Sequence, residues 1–583
     1  MRYSGDKPLV FQSYESMQIN ERPYSPQAAY RLSQSGVDPV LSRVFAGRGI
    51  SSKSELDQSL SGLISYTRLT DATKAAEILY EAIRDGRRIV IVSDYDADGA
   101  TACAVGLRAL KAFGANVGYL IPNRLEHGYG LTPEIVRIAA NLNPRPQLLV
   151  TVDNGISSHA GIAEANRLGI PVLVTDHHLP GETLPEALLI VNPNRADCRF
   201  PSKALAGCGV MWYILWALQD LLRSEGHQPN PPEFNVKELL PLVAIGTVAD
   251  VVPLDSNNRR LVRAGLNMIH SAKTMAGIAS LCKVAQCDQE TLTTSDIGFG
   301  IGPRINAAGR LESMDAGVEC LITDDPQVAL ELAQRLHGIN NERREIETAT
   351  VIEAAEQVAS AIDTERFTAV AYQSDWHKGV IGIVAGRVRE LVYRPTFVFT
   401  SDATGHFTGS GRSIPGFHLR DALDLVAKRT PGILVRYGGH AMAAGATLAP
   451  GSLEQFTETF EAVARELLTP ADLRQAIDTD GSLATHEMSL RTAELIRQEV
   501  WGQAFPEPSF VDTFRVTEVK RMGKAQEHLR LRVEKDNKRF TAVKFRAGPG
   551  EPPSVVRMVY RLNVNTFQGL TSLQLMVDHL EAV

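Results

Sequence analysis

Arg88-Ile-Val-Ile-Val-Ser-Asp-Tyr-Asp-Ala-Asp-Gly99 is the stretch that decides the fold. Its apolar run, Ile89 to Val92, offers no polar face, so it reads as a strand covered on both sides, as strands of parallel sheets are. Asp94, Asp96 and Asp98 follow directly at i, i+2 and i+4. Three carboxylates crowded at a strand end repel one another unless a cation neutralises them, which points to a divalent metal. A calcium loop of the EF-hand type would need glycine and glutamate positions that do not follow here. Taken alone, the cluster is equally compatible with a solvated acidic turn.

The same pattern recurs on either side of it. Gln147 to Val152 and Ile170 to Thr175 are further apolar runs, and each ends in a polar cluster: Thr151-Val-Asp153-Asn-Gly155 and Thr175-Asp176-His177-His178. Gly246-Thr-Val-Ala-Asp250-Val-Val-Pro253 adds another acid beside an apolar run. With the amphipathic stretch Ala75 to Arg84 between turns, this alternation predicts α/β architecture with a parallel sheet, where sites gather at the C-terminal strand ends. A single aspartate after a strand is often only a helix cap. Four such clusters on one sheet edge argue for a shared task.

Farther along, apolar residues recur at helical spacing from Gln327 to Ile362 without a proline, which predicts one long helix. A second, glycine-rich α/β segment spans Phe367 to Leu448. Five strand-like runs between Phe510 and Leu580 predict a small β-barrel such as an OB-fold. The organisation expected is an N-terminal segment packing on the core (1–70), a catalytic α/β domain (71–325), the connecting helix (326–362), a smaller α/β domain (363–455), and linker helices with the barrel (456–583).

Composition bounds the function. A chain of 583 residues exceeds one core's usual reach, so several domains are expected. Six cysteines without a CxxC pair, none of them after Cys320, indicate neither a zinc knuckle nor a disulfide framework. Met1 to Val10 does not read as a signal peptide. Ala204 to Leu222, though nearly long enough for a membrane span, is interrupted by Gln219 and Asp220 and reads as a buried helix. A cytoplasmic protein without membrane contact is expected. The net charge of −7 gives no support to nucleic-acid binding on average, although a local basic groove remains compatible with it.

The order of Asp94–Gly99, Thr151–Gly155, Asp176–His178 and Val248–Leu254 resembles the DHH phosphoesterase superfamily, and within it the RecJ family of exonucleases. Trp376 to Ala385, Gly409 to His418 and Gly438 to Gly445 resemble the DHHA1 domain that accompanies it. The resemblance implies a single-strand-specific 5′→3′ DNA exonuclease that hydrolyses phosphodiester bonds to mononucleotides in recombination and repair. It implies two Mn²⁺ or Mg²⁺ ions held by Asp96, Asp98, Asp153, His177 and Asp250, with Asp153 as the bridge and Asp94 as a ligand or immediate neighbour. Oxygen donors with one imidazole suit those ions and not a thiolate zinc site. Catalysis then falls to Asp98, Asp153 and His178, the last either touching the phosphate or steadying its loop.

Substrate contacts are expected from Arg304, Asn306 and Arg310 in a glycine-rich phosphate loop, from Arg124, and from Ser410, Arg412 and His440 in the second domain. The barrel interleaves Phe510, Phe514, Phe540, Phe545 and Phe567 with Lys520, Arg521, Lys524, Arg530 and Arg532, a pairing that can bind single-stranded DNA, although most of these rings are expected to fill the barrel core. The resemblance also implies a single-strand-binding protein and a recombination helicase as partners, and a monomer is expected. A nucleic-acid-binding module with an inactive core would have lost at least one ligand position, and none is lost. Small-substrate relatives in the superfamily would share the ligands and lack the barrel.

Overall fold

The computed structural model describes residues 17–583 except 125, 272–273, 363–365, 524–525 and 549; Lys524 and the stretch read for a signal peptide therefore lie outside the described residues. The chain divides into two compact units, one formed by Ser52–Glu342 with Gln498–Glu507, the other by the described residues up to Ser51, Arg343–Arg497 and Pro508–Val583.

The first unit is built on a five-stranded parallel sheet: β1 (Ile89–Ser93), β2 (Val117–Leu120), β3 (Leu148–Val152), β4 (Val172–Thr175) and β5 (Leu189–Val191), in the order β2-β1-β3-β4-β5. Every residue of β1, β3 and β4 is buried, as the continuous apolar runs require. Each fully buried Ile, Val or Leu contributes on the order of 2 kcal/mol. The register places Ser93 beside Val152, Val152 beside Thr175, and Thr175 beside Val191. Asp94, Asp153 and Asp176 therefore leave the sheet in one row. Strand order reverses between β1 and β3, the crevice where α/β sheets bind ligands.

Three helices close over that edge. Helix α1 (Ala97–Ala112) follows β1, with the Asp96 side chain accepting from the Gly99 N–H at 3.0 Å. Its small residues let α2 (Gly207–Ser224) and α3 (Leu240–Ala249) approach closely. Helix α2 is the long apolar run, with Trp212 and Tyr213 fully buried. Among the described residues no helix is long and apolar enough to cross a membrane. The segment read as a phosphate loop is a single π-helical turn followed by helix α4 (Gly302–Leu311), with Pro303 in the first turn, where its fixed φ favours helix.

In the second unit, helix α5 (Pro326–Ile362), which begins in the first, leads into a mixed sheet of β6 (Ala369–Tyr372), β7 (Thr396–Ser401), β8 (Phe407–Arg412), β9 (Leu434–Gly439) and β10 (Ala443–Leu448), ordered β9-β10-β8-β7-β6. Its core stacks Phe397, Phe399, Phe456 and Phe460. Phe456 and Phe460 belong to the helix Leu453–Leu467, so this core runs past residue 455. The short strand Gln18–Glu21 pairs in parallel with Ala476–Thr479, and buried Arg48 donates to Asp480 at 2.7 Å. Gln18–Glu21 and Arg48 thus tie the described N-terminal residues to the segment preceding the barrel.

The C-terminal strands β11 (Phe510–Met522), β12 (His528–Lys535), β13 (Lys538–Lys544), β14 (Val555–Phe567) and β15 (Leu570–Ala582) form a closed barrel ordered β11-β12-β13-β15-β14. Phe510, Phe514 and Phe540 fill its interior with Tyr560, as expected for most of these rings, whereas Phe545 and Phe567 face solvent.

Candidate metal centre

The row of strand ends delivers its side chains into one buried pocket. Asp98 is 1% exposed and accepts the backbone N–H groups of Gly207 at 2.5 Å and Cys208 at 3.0 Å, so the N-terminus of α2 holds the carboxylate in place. The imidazole Nε2 of His177 lies 3.0 Å from Asp153 Oδ1, 3.4 Å from Asp250 Oδ2 and 3.9 Å from Asp98 Oδ2. Asp94, Asp96 and Asp153 form a second group with oxygens mutually within 4.8 Å. Asp153 and His177 thus recur in the groups that could hold a cation, Asp153 alongside Asp94 and Asp96 and also alongside the two histidines.

Electrostatics sets the problem that these residues pose. Burial, compounded by neighbouring carboxylates, pushes Asp94, Asp153 and Asp250 well above the usual carboxylate range. Burial raises Asp98 and lowers His177, leaving the imidazole neutral with its lone pair available. Asp153 Oδ1 and His177 Nε2 are buried and, though 3.0 Å apart, make no well-aligned hydrogen bond with each other or with any other of the described residues. Buried polar atoms without hydrogen bonds are costly, and a coordinated cation removes that cost. The donor set, mostly oxygens with one imidazole, fits Mn²⁺ or Mg²⁺.

A layer of polar contacts orients this set. Asp176 accepts from the Ile156, His177 and His178 N–H groups at 2.9, 2.7 and 3.0 Å. It also lies 2.8 Å from His178 Nδ1; although burial opposes protonation, that contact raises His178 to about 9. Asn192 and Asn194 donate to the His178 and His177 carbonyls at 2.9 and 2.6 Å. Asn306 accepts from the Ala97 N–H at 2.8 Å, so it holds the acidic loop from α4. Asp153 itself adopts φ +61°, a left-handed conformation that aspartate and asparagine tolerate better than other side chains.

Arg124 stacks 5.3 Å over the Tyr95 ring, and Tyr95 packs edge-on to Tyr129, which touches His178 at 3.4 Å. Arg310 also lies within electrostatic range of Tyr95. Arg304 stands apart: it is buried, and its guanidinium donates to the Gly300 and Val284 carbonyls and to His337. Those contacts brace α4 from within the protein.

In the other unit, Gly409 and Gly411 lie flat against the Phe399 and Phe397 rings, so close that a Cβ would stand 2.1 and 2.5 Å away. Alternation along β8 then turns Ser410 and Arg412 to the opposite face, beside Gly382 in the first turn of helix α6 (Ile381–Val392). Arg412 donates to the Gly411 carbonyl at 2.9 Å and lies 3.4 Å from Ser410 Oγ. The His440 N–H closes the β9–β10 turn onto the Ala443 carbonyl at 2.8 Å.

The residues that motif reading did not assign a role are Tyr95, Tyr129, Asp176, Asn192, Asn194 and Gly207. Asp176 and Tyr95 stand inside the quoted motifs, so a signal existed. Nothing in the sequence singles out Gly207 or Asn192, whose partners are distant in the chain.

Comparisons with known proteins agree with this arrangement. Residues 88–247 match the DHH family N-terminal domain, 365–466 the DHHA1 domain, and 479–579 the RecJ OB domain. The chain is 45% identical over 568 residues to the single-stranded-DNA-specific exonuclease RecJ of Dickeya dadantii, covering 95% of this chain and 98% of that one. It is 44% identical to the RecJ of Escherichia coli, covering 93% and 96%. The structure of RecJ from Thermus thermophilus in complex with Mn²⁺ superposes with a TM-score of 0.81 at 30% identity, over 97% of this chain and 79% of that one. The Mg²⁺ complex from the same organism gives 0.76 at 28% identity, over 97% and 78%.

Proposed function

Because the chain belongs to the RecJ family of single-stranded-DNA-specific exonucleases, we propose that its buried acidic pocket hydrolyses phosphodiester bonds of single-stranded DNA in the 5′→3′ direction, releasing 5′-mononucleotides. The observation that carries the reading is the convergence of Asp94, Asp96, Asp98, Asp153, His177 and Asp250 on one pocket at the sheet's switch point, with two buried donor atoms lacking hydrogen bonds.

These six residues would hold two Mn²⁺ or Mg²⁺ ions, Asp153 standing in more than one of the groups able to do so. When bound, such ions lower the pKa of a coordinated water and stabilise charge on the reacting phosphate. The protein's own part is positioning. Helix α2 fixes Asp98, and Asp176 clamps the His177–His178 loop. His178, kept cationic by Asp176 and one-third exposed, faces the phosphate as a donor. Tyr129 steadies the other side of its ring.

The barrel offers a DNA-binding surface of its own. Lys520 and Arg530 are exposed and directly opposite on β11 and β12. Like charges so placed destabilise a sheet, and a bound phosphate offsets that repulsion. The protein works as a cytoplasmic monomer in recombination and repair, with a single-strand-binding protein and a helicase as partners.

Ser410, Arg412 and His440 recognise the 5′-terminal phosphate. Arg412→Ala is expected to lower cleavage of 5′-phosphorylated strands roughly 10- to 100-fold more than cleavage of 5′-hydroxyl strands, since a charge-assisted bond is lost only in the former. The check is kcat/KM on both end types with 5′ and 3′ labels. Equal losses would remove Arg412 from end recognition, and early internal fragments would reject the exonuclease reading.

A further inference from the structure

Phe299 is the most exposed large apolar side chain among the described residues, at 80% of its surface. It stands at the centre of Ile297–Ile301, a single π-helical turn in which both flanking isoleucines are fully buried. The backbone is thereby pinned on each side while the ring alone projects. Such turns insert one residue into a helix and are frequent at functional sites.

The neighbourhood of this turn gives the ring a task. The turn packs against α3, whose C-terminus carries Asp250, and Gly302 at its end rests against Ala249. It continues into α4, which holds the acidic loop through Asn306 and packs Gly309 against the Tyr95 carbonyl. Two short rigid elements therefore tie Phe299 to Asp250 and to the Asp94–Asp98 loop. Val251, immediately after Asp250, is also exposed, with φ +61°, an unusual conformation for a β-branched residue.

A ring held out of the core on a turn that packs against the helix ending at Asp250 suits a ligand with a π-face. Bases supply one whatever the sequence, and stacking is how proteins grip single strands without reading them. We propose that Phe299 is a positioning residue that stacks on one base of the bound strand and so sets which phosphodiester bond meets the carboxylate pocket. This rests on the exonuclease reading above. The ring touches substrate away from the reacting atoms, so its effect falls on binding and register more than on the chemical step.

The experiment uses the full-length chain with Phe299→Leu and Phe299→Tyr, and 5′-phosphorylated oligonucleotides carrying 2-aminopurine or an abasic residue at successive positions. Phe299→Leu is expected to raise KM about ten-fold with kcat nearly unchanged, and Phe299→Tyr to stay near wild type. In EDTA, where no turnover occurs, 2-aminopurine fluorescence should be quenched at one position by the wild type and by Phe299→Tyr but not by Phe299→Leu. An abasic residue at that position should raise the wild-type KM by the same factor and add nothing in Phe299→Leu. An unchanged KM in Phe299→Leu, quenching that survives it, or abasic and variant losses that multiply would overturn the proposal. A wild type that binds and quenches but does not cleave single strands would count against the exonuclease reading alone.

Discussion

Asp153→Asn and Asp98→Ala each lower hydrolysis of single-stranded DNA by at least ~10⁴-fold, because a divalent-metal centre supplies both nucleophile and charge stabilisation. The two variants should differ in stability. Asp153 is a buried carboxylate among Asp98, Asp96 and Asp250, raised by burial and by their charge. Asparagine keeps the backbone at φ +61° and removes one of the repelling charges, so the metal-free protein should melt no lower than wild type. Asp98 instead accepts two backbone N–H groups from α2, and alanine leaves them buried without a partner. That loss costs about 1–3 kcal/mol for each donor left unsatisfied. Thermal melts with and without Mn²⁺, beside a nuclease assay, test both halves. Substantial metal-dependent cleavage by either variant would sink the assignment of these ligands.

Gly207→Ala is expected to lower kcat by roughly 10²-fold or more with every ligand residue retained, since displacement of a reacting group by about 1 Å has that cost. A Cβ at position 207 would lie 2.5 Å from Asp153 Cβ and 2.7 Å from its Oδ1. Either Asp153 or the start of α2 must move, and the second choice also withdraws the donors that hold Asp98. Overpacking of this kind costs about 1–3 kcal/mol of stability. Gly338→Ala is the control: the site is exposed, on a helix, with nothing within 4 Å of the added atom, so activity should be unchanged. Calorimetric titration with Mn²⁺ beside the rate measurement separates a displaced ligand from general unfolding. Wild-type kinetics in Gly207→Ala would show that the close approach has no part in the site.

The sequence made the parallel sheet and its acids legible because both signals are local. A buried strand is a run of apolar residues, and its C-terminal end is the next residue along, so Asp94, Asp153 and Asp176 could be read in place. The barrel was legible through strand-like runs in close succession, and its closure is visible in the β13–β15 pairing. The glycine-rich stretch before Arg310 misled, because glycine, proline and arginine read as a loop while the chain continues from a π turn into helix. Arginine content alone could not show that Arg304 donates to carbonyls of its own fold while Arg124 stacks on Tyr95.

By itself, then, the sequence determined the α/β class, the order of the acidic clusters and the metal chemistry that they support, since strand periodicity and carboxylate repulsion act between near neighbours in the chain. Only the tertiary structure decided which atoms converge. The Asp98 carboxylate is set by backbone donors more than a hundred residues away, Asn306 holds Ala97 across two hundred, and Gly409 and Gly411 send Ser410 and Arg412 to the face beside Gly382 because Phe397 and Phe399 occupy the other. Partners so distant leave no periodicity to read: whether a phenylalanine fills a core, as Phe510 does, or stands in solvent, as Phe299 does, depends on what the rest of the chain packs against it.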